Sequence, residues 1–136
     1  HRLGHFKYLL FYLVSGVIAT LSHFVIDSDS QAPLVGASGA IAGVMGAYLL
    51  LYPFNRIKAL VIFYFITVIE LRAMVFLGIW FCLQIINSLG LLGLSAGANV
   101  AFMAHVGGFI AGVVLIAFFK IAIKEPIVPA RRPLNP

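Results

Sequence analysis

Charge is scarce in this chain. Of 136 residues, nine are Lys or Arg and four are Asp or Glu, 10% in all, against about 25% in an ordinary soluble domain. Thirteen charged side chains cannot cover a chain that is 62% hydrophobic, which excludes a water-soluble globular domain. Cysteine occurs once, at Cys82, so an internal disulfide is excluded. His1, His5 and His23 have no second ligand at useful spacing, and no metal site and no cofactor are expected. No charged leader precedes a short apolar region at the N-terminus, so no signal peptide is expected. With His rather than Met at its start, the chain reads as a piece of a longer one. No internal repeat is evident.

What is present is apolar length, with a mean hydropathy of +1.10. Nineteen uncharged residues, Tyr8 to Ile26, separate Lys7 from Asp27, close to the ~20 needed to cross a ~30 Å hydrocarbon core. A polar loop follows at Asp27–Pro33. A second helix is expected from Ser38 to about Tyr52, stopped by Pro53. Ala59 to Ile69 is apolar but too short to span, and its β-branched and aromatic residues suggest an interfacial or partly buried segment. From Ala73 to Phe119 there are 47 residues without a charge. That is room for two spans, about Ala73–Ile86 extending toward Leu89 and about Asn99–Phe119, with a hinge at Asn87–Ala98. The expected fold is an all-α polytopic membrane helix bundle with four transmembrane helices, over residues 1–119. Residues 120–136 form a basic, proline-rich tail.

Four spans alternate sides, and the charges follow the alternation. With the N-terminus cytoplasmic, the inner segments 1–7, 53–72 and 120–136 hold all nine Lys and Arg residues. The outer loops hold Asp27 and Asp29 and no base. Positive charge thus reports an orientation with both termini inside, and contact with anionic lipid headgroups, rather than a nucleic-acid surface.

Two short words carry chemistry. Gly36-Ala37-Ser38-Gly39 opens the second helix, and Ala104-His105-Val106-Gly107-Gly108 lies in the last. Counting from the outer surface puts Ser38 and His105 at similar, shallow depth. A serine at a helix N-terminus has unpaired backbone N–H groups beside it that can stabilise an oxyanion. An N-cap serine would read the same way in isolation. A histidine within a span is costly and signals a functional site by default. Its bland alternative is a neutral ring hydrogen-bonded between helices. Together the two fit a nucleophile and its general base. No Asp or Glu lies in either helix, so a Ser–His dyad is expected rather than a triad. Small residues, Gly39 and Gly43 on one helix and Ala104, Gly108 and Gly112 on the other, allow the backbones to approach closely.

The run Gly36–Gly43, the word at 104–108 and the later Gly112 resemble the rhomboid family of intramembrane serine proteases. Leu3–Tyr8 and Gly78-Ile79-Trp80-Phe81 are similar to that family's third and fifth helices. The resemblance implies that the chain holds helices three to six of a six-helix bacterial-type core, in a bacterial or archaeal plasma membrane. It implies Ser38 as nucleophile and His105 as base. The Ser38 backbone N–H would lie in the oxyanion hole, with Ala37 as a candidate second contributor. Trp80 would lie on the helix of lateral substrate entry, and the loop about Asn87–Ala98 would cap the site. The partner is then a transmembrane protein substrate. Two departures stand out. The helix-two His and Asn that usually complete the oxyanion hole are absent, so the chain by itself is expected to be inactive or nearly so. Position 42 is Ala, where some members carry an aromatic that stacks on the catalytic His. An inactive rhomboid-like protein that binds membrane clients is the alternative. A transporter or scaffold fragment does not account for the two words at matched depth.

Overall fold

A computed structural model describes residues 3–26, 28, 37–62, 66–89 and 102–123, the last four through their backbone alone. Most of the Asp27–Pro33 loop, Gly36, residues 90–98 of the expected hinge and cap, and 124–136 of the tail lie outside the described residues. The elements in chain order are α1 (Gly4–Ile26), α2 (Ser38–Leu51), β1 (Arg56–Ile62), β2 (Ile66–Arg72), α3 (Ala73–Ser88) and α4 (Phe102–Ile123).

Two of these helices are long and apolar enough to cross a membrane, α1 with 23 residues and the Phe102–Phe119 part of α4 with 18. At 1.5 Å per residue, α1 is about 34 Å long. The apolar helices α2 and α3, with 14 and 16 residues, reach only about 21 and 24 Å. Pro53 ends α2 as expected, with Tyr52 as its cap bonded back to the Tyr48 carbonyl. The last helix continues through position 119 to Ile123.

The expectation of an all-α chain is corrected between α2 and α3. Arg56–Ile62 and Ile66–Arg72 pair as antiparallel strands, with Arg56 opposite Arg72 and Ile62 opposite Ile66. Its strands are rich in Ile, Val and Thr, which suit a pleated surface, and Lys58 faces Glu70 across the ladder. A two-stranded sheet is marginal by itself. Here its base is tied to α3: the Ala73 N–H donates to the Asn55 carbonyl at 2.7 Å and the Met74 N–H to the Pro53 carbonyl at 2.9 Å. Two of the N–H groups that open α3 are satisfied in this way.

Packing follows small residues rather than large ones. The most extensive contact is between α2 and α4, followed by α1 with α4. Along the first, Gly39 lies against Ala104 and Gly108, Gly43 against Gly108 and Gly112, and Gly46 against Phe109 and Val113. Numbers rise together, so α2 and α4 run parallel. The first helix runs against both, with Ser22 beside Gly107, Ala19 beside Gly39 and Gly108, and Ser15 beside Gly43. Farther along, Phe11, Ala47 and Ile116 close the core. The third helix is likewise antiparallel to α4, with Gln84 at His105 and Phe81 at Phe109. The outer faces are apolar: Phe6 is 79% exposed and Phe118 69%, as suits a bundle solvated by lipid.

Candidate functional site

The site is built where the N-terminal ends of the two parallel helices meet. Ser38 is the first residue of α2, and the cap position is Ala37, which makes no side-chain capping bond. Ser38 is exposed and, standing inside the helix, does not act as its N-cap. The first intrahelical bond runs from the Ile41 N–H to the Ala37 carbonyl at 3.0 Å. The N–H groups of Ser38, Gly39 and Ala40 precede it and have no intrahelical acceptor.

His105 is the fourth residue of α4 and is half-buried. A Cβ built on Gly39 would lie 3.6 Å from the Ala104 carbonyl oxygen and 3.9 Å from the Ala104 Cβ, and one built on Gly108 would strike the Gly39 carbonyl. The residue after Ser38 therefore sits against the two small residues that bracket His105. Gly43 and Gly112 continue the same seam one turn farther, a Cβ on Gly112 striking the Gly43 backbone. In lipid, where side-chain volume otherwise holds helices apart, such a seam brings backbones close.

The ring of His105 is held from α3. Its Nδ1 pairs with Gln84 Oε1 at 2.8 Å, and no hydrogen bond joins it to Ser38 among the described residues. Trp80, one helical turn before Gln84, lies with its ring 5.9 Å from the imidazole at an interplanar angle of 39°, and 6.0 Å from Phe109. Phe81 stacks on Phe109 at 4.5 Å. Trp80 thus flanks the imidazole in the structure. Ala42 is buried on α2, and the aromatic ring beside His105 comes from Trp80 on α3.

Gln84 did not emerge from the sequence as a site residue, although a signal was there. It is a carboxamide inside a 47-residue stretch without charge, four residues after Trp80 and so on the same helical face. The face of α1 that covers the seam, Ser15, Ala19 and Ser22, also escaped notice, although its i, i+4, i+7 spacing is that of a small-residue stripe.

An exposed serine at the start of α2, a histidine near the start of the parallel α4 and small-residue seams thus lie together at one end of an apolar helix bundle. Comparisons with curated proteins and with solved structures each return no match. The family model of the Rhomboid domain matches residues 1–121, nearly the whole chain, and the chain belongs to the rhomboid family, membrane proteins that are in general serine proteases.

Proposed function

We propose that this chain carries the catalytic centre of an intramembrane serine endopeptidase, with Ser38 as nucleophile and His105 as general base. The observation that carries the reading is the contact of Gly39 with Ala104 and Gly108, which sets Ser38 and His105 at the same end of one close helix crossing. The Ser38 hydroxyl attacks the scissile carbonyl while the imidazole Nε2 takes its proton. The resulting oxyanion faces the backbone N–H of Ser38, with the neighbouring donors of the first turn and the Ala37 segment beside it. The imidazolium returns the proton to the leaving amine, and water then hydrolyses the acyl-serine by the same route.

The substrate is a membrane-anchored protein, cut in or near its transmembrane segment where the helix is locally unwound near the outer face. Four spans enclose the site, with both ends of the chain cytoplasmic in a bacterial or archaeal plasma membrane. The alternating directions of α1 to α4 support that topology. The short α2 leaves Ser38 below the outer surface, which backbone structure tolerates where it lines a wet cavity. Trp80 is assigned to the substrate-entry side and 87–98 to the cap. No cofactor is required.

A second reading keeps the family and removes the chemistry: a rhomboid-like protein that binds membrane clients without cutting them. That no hydrogen bond joins His105 to Ser38 among the described residues favours it. Reconstitution in liposomes of the protein carrying this chain, with a transmembrane reporter substrate, separates the two. Cleavage lost in Ser38→Ala supports the protease. Client capture without cleavage by the folded wild type supports the second reading.

A further inference from the structure

We infer that Gln84 is a positioning residue for His105, a neutral third member that sets which ring nitrogen is free to act as base; the inference rests on the Ser38–His105 pair proposed above. A carboxamide in an apolar helix costs free energy unless its polar atoms are bonded, and Gln84 is only 9% exposed. Its Oε1 lies 2.8 Å from His105 Nδ1. An oxygen there accepts, so Nδ1 carries the proton. A neutral imidazole has one N–H, and placing it on Nδ1 leaves the Nε2 lone pair open, as a general base requires. Trp80 lies 5.9 Å from the same ring from one turn earlier on α3. The third helix therefore holds the imidazole by its edge through Gln84 and flanks it through Trp80, fixing orientation as well as tautomer.

The carboxamide also accounts for a catalytic pair without an acid. The described helices bring no Asp or Glu to this ring. A buried carboxylate would orient the imidazole as well but would have to be desolvated in the ground state. A carboxamide orients it without that cost.

The test uses the full protein carrying this chain, reconstituted in liposomes, with Gln84→Met, Gln84→Glu and Ser38→Ala. Gln84→Met fills similar volume without an acceptor. It is expected to lower kcat by roughly 10²-fold, the lower end of what a positioned base contributes, with KM within about twofold of wild type because substrate contacts are untouched. Gln84→Glu keeps an oxygen at that place and is expected to recover most of the lost kcat. Independently of activity, ¹⁵N NMR of histidine-labelled protein, assigned by difference with His105→Asn, is expected to show protonated Nδ1 and bare Nε2 in the wild type. In Gln84→Met the Nε2–H tautomer should appear. Protonated Nε2 in the wild type overturns the inference, as does a folded Gln84→Met protein with wild-type kcat. A lowered unfolding midpoint with unchanged kcat and tautomer also overturns it, leaving a structural role only. Ser38→Ala separates the levels. If it retains cleavage, the Ser–His reading itself fails. If it abolishes cleavage while the Gln84 variants behave as wild type, the Gln84 inference alone fails.

Discussion

Gly112→Ala adds one methyl group at the tightest point of the α2–α4 seam. A Cβ there would lie 2.5 Å from the Gly43 carbonyl carbon and 2.6 Å from its Cα, besides striking the carbonyl oxygen. Carbon atoms rest at about 3.5–4.0 Å, so the helices must separate by about 1 Å. No rotamer relieves the clash, because the obstacle is backbone. Inserting a methylene into a packed core costs about 1–3 kcal/mol. A backbone clash belongs at the upper end, about 3 kcal/mol, which is roughly a hundredfold in the folded-to-unfolded ratio. The same opening shifts Ser38 against His105, and a displacement of about 1 Å can cost roughly 10² in rate. Denaturant unfolding in detergent micelles and cleavage in proteoliposomes measure the two effects separately. Gly78→Ala is the control: nothing lies within 4 Å of a Cβ built there, and replacing a mid-helix glycine gains about 0.5–1 kcal/mol. Gly112→Ala equal to wild type in both assays, or Gly78→Ala as damaging as Gly112→Ala, would refute the close-seam argument.

Three further outcomes are expected. Ser38→Ala and His105→Ala should each abolish cleavage with the fold intact, and the double variant should lose little beyond the worse single one, since nucleophile and base act as a unit; additive losses in single-turnover cleavage would contradict this. In a Cys82→Ser background, a cysteine at position 29 should react with an impermeant maleimide from outside and one at position 131 only after permeabilisation, and the reverse pattern would invert the topology. Ser15 Oγ is buried without a hydrogen-bond partner among the described residues, so Ser15→Ala should be neutral or stabilising by about 1 kcal/mol, and a clear fall in the unfolding midpoint would reveal a missed partner.

The sequence made α2 and the seam legible because their signals are local. Pro53 marks an end, and Gly39, Gly43, Gly108 and Gly112 repeat at four-residue spacing on faces that must meet something. The strand pair was not legible. Alternation identifies a strand only when one face is polar, and from Ala59 to Ile69 nearly every residue is apolar. Shortness and β-branching ruled out a span without identifying a pair of strands. The partner of His105 was missed for another reason. Nothing in the local pattern links α3 to α4 at that level; the link follows from the antiparallel directions of the two helices, which bring Gln84 to His105 and Trp80 to Phe109. Reading Gln84 as a carboxamide in mid-helix, one turn after Trp80 in an uncharged stretch, would have found the residue, though not its partner.

The central claim is that Ser38 is a nucleophile activated by His105. Fluorophosphonate labelling of the reconstituted protein, followed by peptide mapping, tests it at the atom concerned. The account predicts one phosphonylated site, Ser38, in the wild type and its loss in His105→Ala with the protein still folded. A label on a different serine, or Ser38 labelling unchanged by His105→Ala, would contradict it.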